Sequence, residues 1–279
     1  MKTKTLRSFF VITFIWAWVL WLPFVLPTFG LYEMNITLEG LVMLAVMLGA
    51  FGPLVSAMIL TYRQGGKEKL KQFFRKCLDV KIKPIYYGMA FILGLSVTAI
   101  AHYLTILTGL DELPNNLIPE GINLPLYVLI VPYTLMLFIL GGGQEEFGWR
   151  GFAQEPMQER FGVLKGSLII GLIWSIWHAP LWLIIGEGHS YYPFLAFTVY
   201  TTSWSVIIGI MYNLSGKKMM IAWIMHVLGN LSVPLFPVLF LEDVPQPGYW
   251  VWATLNLLLA IGMIVWVHYK KREALGARL

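Results

Sequence analysis

The sequence predicts an all-α, polytopic membrane protein with about eight transmembrane helices and both termini cytoplasmic. Three observations predict it. Of 279 residues, 58% are hydrophobic and 13% charged, with a mean hydropathy of +0.69; an ordinary soluble domain is about 45–50% apolar and roughly 25% charged. The apolar residues come in runs near the ~20 residues that a helix needs to cross a bilayer. The charges fall between those runs.

Lys2, Lys4 and Arg7 precede the first run, Ser8 to Phe29. That run exceeds a signal-peptide core and has no small-x-small site after it, so it reads as a retained span. Glu33 and Glu39 follow it. The second span is Gly40 to Tyr62. The most basic stretch comes next, with Arg63, Lys67, Lys69, Lys71, Arg75, Lys76, Lys81 and Lys83. Within it Leu70, Phe73, Phe74, Cys77 and Leu78 form one apolar face, which predicts a helix lying in the membrane surface.

The third span is Pro84 to Gly109, followed by Asp111, Glu112 and Glu120. The fourth begins near Leu124, runs apolar to Leu140 and enters a Glu-Glu segment. A polar stretch, Gln154 to Lys165, leads to the fifth span, Gly166 to Ile185. Glu187 lies in the short loop after it. The sixth span, Tyr192 to Tyr212, precedes Lys217 and Lys218. The seventh, Met219 to Phe240, precedes Glu242 and Asp243. The eighth is Gly248 to Tyr269, with Lys270, Lys271, Arg272 and Arg278 behind it.

Loops after odd-numbered spans are acidic; the N-terminus, the loops after spans two and six, and the C-terminus are basic. An even number of spans with both ends inside satisfies the positive-inside rule. The same juxtamembrane clusters, against anionic lipid, account for the net charge of +5 and the pI near 9.2 and remove the case for nucleic acid. The single cysteine, Cys77, excludes an intramolecular disulfide framework and a multi-cysteine metal site. No internal repeat is present, and residues 1–279 read as one integral-membrane domain with its motif core at 141–230.

Three polar places interrupt this apolar chain. Ionisable groups at membrane depth cost about 2.5–3.5 kcal/mol each on insertion scales. The first is Gly141-Gly-Gly-Gln-Glu145-Glu146-Phe-Gly-Trp-Arg150. At i, i+4 Arg150 neutralises Glu146, while Glu145 points elsewhere and is free to handle a proton. The three glycines loosen or break the helix. The second place is Trp174 and His178, one turn apart on one face of the fifth span, with Pro180 favouring a kink just after. The third is His226 and Asn230, also at i, i+4. Each alone has a structural reading as an interhelical clasp. Together they supply a carboxylate and two imidazoles to bind and deprotonate a water, and an amide or imidazole donor for an oxyanion.

A common depth for the three requires a fourth helix that is long, or broken, through the Glu-Glu segment. At about 1.5 Å per residue, His178 lies roughly 18 Å along its span and His226 about 10 Å along its own. His102, His189 and His268 have no matching partners and read as structural.

The three places resemble the EExxxR, FxxxH and HxxxN motifs of the CPBP family, the CAAX protease and bacteriocin-processing family also called Abi. Glu145-Glu146-Phe-Gly-Trp-Arg150 matches the first. Trp174-Ser-Ile-Trp-His178 matches the second with Trp for Phe, and His226-Val-Leu-Gly-Asn230 matches the third. The layout is similar to that of type II CAAX prenyl endopeptidases. The resemblance implies an intramembrane endopeptidase, multi-pass in a prokaryotic plasma membrane, acting on a membrane-associated peptide or protein. It implies that Glu145 and His178 activate water, that His226 and Asn230 hold the oxyanion or complete the polar site, and that Glu146 and Arg150 order it. Glu145, His178 and His226 also resemble a catalytic zinc set; a metal-free Glu/His pair uses the same residues. The rival class is a non-catalytic membrane binding or immunity protein, or a carrier, using the same cluster. The lack of internal repeats argues against a carrier.

Overall fold

A computed structural model describes residues 3–33, 36–114 and 125–270. Glu120 and the basic residues Lys271, Arg272 and Arg278 lie outside them. The described residues form helices and turns, without a strand. In order these are α1 (Thr3–Val25), α2 (Ile36–Gly49), α3 (Gly52–Cys77), α4 (Pro84–Leu107), α5 (Leu126–Ile139), α6 (Glu145–Gly148), a π turn (Trp149–Ala153), α7 (Gln154–Phe161), α8 (Val163–His178), α9 (Phe194–Leu214), α10 (Met219–Leu235) and α11 (Pro247–Lys270). Short 3-10 turns extend α1 over Leu26–Phe29 and α8 over Ala179–Leu183, and a third covers Gly188–Tyr191.

Six helical segments are long and apolar enough to cross a membrane, and two shorter apolar helices lie at Val128–Ile139 and Met219–Leu235. These eight coincide with the eight predicted spans. The chain is a multi-pass, all-α membrane protein. The two short helices are the fourth and seventh spans; Glu145 lies just past the end of the fourth, and His226 in the middle of the seventh.

Boundaries differ from the hydropathy reading in two places. The second span is broken between Gly49 and Gly52, where Pro53 enters the first turn of α3 without an N–H to donate. The seventh ends at Leu235 rather than Phe240, just past Pro234.

The amphipathic basic segment is the second half of α3, kinked away from the first at Gly65 and Gly66, the latter with φ +62°. Its apolar face is partly covered by protein, with Leu78 at its end 45% exposed. Cys77 is 1% exposed, and Phe73 and Phe74 pack with it against Phe147, Tyr212 and Met219. An apolar stripe is the same whether a membrane or a protein covers it, and here α6, the end of α9 and the start of α10 pack on its Phe73–Cys77 part. Ion pairs tie the same region down: Glu155 on α7 pairs with Lys76 and with Lys217, and Asp79 pairs with Lys218. Hydrogen bonds from Lys218 and the Lys81 backbone hold the Asp79 carboxyl below its ordinary value. Burial raises the Glu155 carboxyl, but Lys76 and Lys217 outweigh it, and the net shift is downward.

The core gathers around α8 and α9, which pack along each other, with α11 against α9 and α4 against α10. It is rich in indole and phenol rings: Trp21, Trp149, Trp177, Trp204, Tyr249 and Trp252 are all buried.

Candidate functional site

The site begins where α5 stops. A helix end leaves its last four carbonyls without partners, and at membrane depth each must find one. Side chains in and near the motifs meet several carbonyls in and just past the last turn. Trp223 Nε1 donates to Phe138 O at 3.1 Å, Gln144 Nε2 to Leu140 O at 3.3 Å, and Asn230 Nδ2 to Gly141 O at 2.7 Å. The backbone N–H groups of Gly141 and Gly143 both reach Leu137 O. The fourth helix is therefore broken, and resumes as α6 at Glu145. Gly142 turns the chain with φ +100°. A Cβ there would overlap His226 Nε2 and approach Asn230 Nδ2 to 2.9 Å. These two nitrogens thus converge on the backbone of the break.

Glu145 and Glu146 leave α6 in different directions. Glu146 is fully buried and its Oε1 accepts from Arg150 Nη1 at 2.8 Å, the pair expected from the spacing. The same oxygen accepts from His226 Nδ1 at 2.8 Å. Arg150 continues inward, donating from Nη2 to Ser205 Oγ at 3.0 Å, and Ser205 donates to Ser167 O at 2.8 Å. This chain binds α6, the π turn, α8, α9 and α10 into one buried polar network.

Glu145 takes no part in it. Its Oε2 accepts two indole N–H groups, from Trp149 at 3.1 Å and from Trp174 at 2.9 Å. It is 4% exposed.

Trp174 is the place where the three motifs meet. It bonds Glu145, its ring centroid lies 6.0 Å from that of His178 and 5.0 Å from that of His226, and Arg150 Cζ sits 5.6 Å from it. The indole in place of the motif's Phe therefore adds a donor as well as a ring. His178 Nδ1 lies 2.9 Å from Trp174 O. A carbonyl only accepts, so Nδ1 carries the proton and Nε2 keeps its lone pair.

Glu145, His178 and His226 are not gathered into one metal-ligand set. Among the described residues no group of three or more His, Cys, Asp or Glu side chains is placed to hold a metal ion. Oε2 of Glu145 is occupied by two indoles, Nδ1 of His178 by a carbonyl and Nδ1 of His226 by Glu146, which leaves Oε1 of Glu145 and Nε2 of each histidine as the atoms a metal would use.

His189, read from the sequence as having no matching partner, has two. Its ring lies 5.6 Å from that of His178 at 24°, and Glu187 Oε2 accepts both its Nδ1–H at 2.9 Å and its backbone N–H at 2.7 Å. Burial raises the Glu187 carboxyl, but His189 and the backbone N–H groups of His189 and Gly188 hold it below its ordinary value. Glu-Gly-His two residues apart was the only signal for this in the sequence. Trp149 was also missed. His102, by contrast, bonds Pro237 O at 2.6 Å and is structural, as read.

A multi-pass helical protein with a buried carboxylate pair and an arginine just past its fourth span, and a buried histidine on each of its fifth and seventh, belongs to the class with its polar site among its spans. The comparisons with known proteins point to a particular family. Residues 127–232 match the family described as type II CAAX prenyl endopeptidase Rce1-like, a segment that holds all three motifs. The chain is 27% identical over 241 residues to CAAX prenyl protease 2 of Methanococcus maripaludis, covering 83% of this chain and 85% of that protein. It is 32% identical over 99 residues to lysostaphin resistance protein A of Staphylococcus haemolyticus, and 27% over 107 residues to its Staphylococcus aureus counterpart. Those two matches span 24% and 23% of the staphylococcal proteins. The similarity to the methanococcal protein runs along most of the chain, and the family model covers the segment that holds the three motifs.

Proposed function

We propose that the chain is an intramembrane endopeptidase that hydrolyses a peptide bond of a membrane-associated protein or peptide with a water activated by Glu145 and His178. The observation that carries this reading is the convergence on Trp174: one indole holds Glu145 and touches His178 and His226. Both indole bonds fall on Oε2 of Glu145, so Oε1 is the oxygen to take a proton from water. Nε2 of His178 is the second acceptor. His226 and Asn230 offer nitrogens that converge beside Gly142, suited to a developing oxyanion. With Glu146 against Nδ1, the imidazolium form of His226 presents an N–H at Nε2. Glu146 and Arg150 order the site and do not touch substrate. The substrate class that the resemblance favours is a CAAX-type prenylated tail.

A second reading is favoured by the staphylococcal resistance proteins, which are similar over 99 and 107 residues: an immunity function, with the cluster binding a peptide without cutting it. One experiment separates the two. Peptide termini are compared across the proteome in membranes from cells carrying the wild type and the Glu145→Ala form. New termini that require Glu145 support the peptidase and identify substrates. Matching profiles from two folded, expressed proteins leave the immunity reading in its place.

A further inference from the structure

Among the described residues, His178 is held by one hydrogen bond, from Nδ1 to Trp174 O. A single bond fixes which nitrogen is protonated and leaves the ring free to swing about it. The plane of the ring is set by its neighbours. Trp177 and Phe197 meet it edge-on, at 76° and 73°. Two rings lie near-parallel to it: His189 at 5.6 Å and Trp21 at 6.5 Å. His189 is the nearer.

His189 is itself fixed at every end. Glu187 Oε2 holds its ring and its backbone N–H, and its carbonyl accepts from the Tyr192 N–H at 3.0 Å. Trp182, Tyr192 and Phe197 enclose its ring at 5.2, 5.1 and 5.8 Å. Ordering a histidine this fully in a short loop costs conformational entropy. Packing alone is served as well by an apolar ring, without the carboxylate.

We infer that His189 is a positioning residue for His178: Glu187 aims the His189 ring, and that ring sets the plane of His178 so that Nε2 is directed at the reacting water. This rests on the peptidase reading, but its test does not rest on it entirely. With a cleaved substrate in hand, His189→Ala is expected to lower kcat about tenfold or more with KM changed less than about twofold. His189→Phe restores a ring and is expected to return kcat to within about threefold of wild type. Glu187→Gln falls between.

The companion measurement is the rate at which diethyl pyrocarbonate modifies His178, read by mass spectrometry. It is expected to rise several-fold in His189→Ala and to return in His189→Phe. Should His189→Ala fail to fold, Glu187→Gln carries the same test with a smaller rise. Equal labelling of His178 in wild type and in every folded variant overturns the inference. So does an unchanged kcat in His189→Ala, or a loss confined to KM, which makes His189 a substrate contact. If the wild type cuts nothing, the peptidase reading falls while the labelling still decides whether His189 orients His178.

Discussion

His226 donates from Nδ1 to Oε1 of Glu146 at 2.8 Å, joining the seventh span to the helix that follows the break in the fourth. The histidine of the third motif is therefore bonded to the second carboxylate of the first motif rather than to Glu145. The adjacent glutamates are thereby separated: Glu146 ties helices together and Glu145 faces the indoles.

Glu146→Gln and Glu145→Gln should fail in different ways. Removing the Glu146 charge leaves Arg150 buried without its counter-ion, a loss of about 3–5 kcal/mol. The variant is expected to unfold well below the wild type in detergent, or not to accumulate. Glu145→Gln keeps an oxygen for the two indole donors and should fold within about 1 kcal/mol of wild type. Its cleavage should fall by about 10²–10⁴. Thermal unfolding and a cleavage assay on both variants check this. A folded, fully active Glu145→Gln rules out the proposed chemistry.

Trp174→Phe isolates the indole N–H from the ring. The bond to Glu145 is charge-assisted, worth about 1.5–3 kcal/mol, and Trp149 still holds the carboxylate. Cleavage is expected to drop about tenfold with the fold intact. Trp174→Ala also removes the contacts to His178 and His226 and should drop further. If the Phe and Ala variants match, the N–H rather than the ring is what the site uses.

Much of this was legible in the sequence, for identifiable reasons. The Glu146–Arg150 pair follows from i, i+4 spacing on one helix, and the break in the fourth span from three consecutive glycines. The eight spans follow from hydropathy, which depends on composition over long windows. Features made by partners distant in sequence were not legible. The apolar face from Phe73 to Cys77 signals burial without saying whether lipid or α6 covers it. The carbonyl of Gly141, bonded by Asn230, exposes a structural duty that no spacing rule contains. His189 sits in a short loop, and its stacking on His178 exists only once α8 and α9 are packed.

Gly142→Ala tests whether the His226 and Asn230 nitrogens must converge at the break. A side chain at φ +100° carries strain of about 1–3 kcal/mol, and here its Cβ also overlaps the two nitrogens. Gly216→Ala is the control, with φ +82° and nothing within 4 Å of a Cβ. Both variants should lose stability to a similar backbone term. Only Gly142→Ala should lose most of its cleavage. Equal activity in the two indicates that the convergence is incidental.

Removal of divalent metal should leave cleavage intact. No three-residue ligand set forms among the described residues, and the Glu145–His178 pair proposed above activates water without one. Purified protein dialysed against a strong zinc chelator is expected to retain its rate. A loss reversed by adding zinc contradicts the assignment, and shows that Glu145, His178 and His226 regroup around the ion.

The ion pairs beneath the site give the protein an acid limit whose direction is fixed by the shifts at Asp79 and Glu155. Both carboxyls are held below their ordinary values, 3.8 and 4.5. Each therefore releases its proton more readily folded than unfolded, so its contribution to stability is fully present above the ordinary value. That contribution is lost as pH falls through the lower folded value. Both groups are solvent-accessible, and salt screens them, so the effect of either is small. The sharpest readout is a difference. The gap in thermal midpoint between wild type and Glu155→Gln should be constant near neutral pH and close as pH falls below the ordinary value of 4.5 and through the lower folded one. High salt should narrow it at every pH. A gap that persists at low pH means that Glu155 stabilises the α3–α7 contact by packing, with its pairing to Lys76 and Lys217 making no difference.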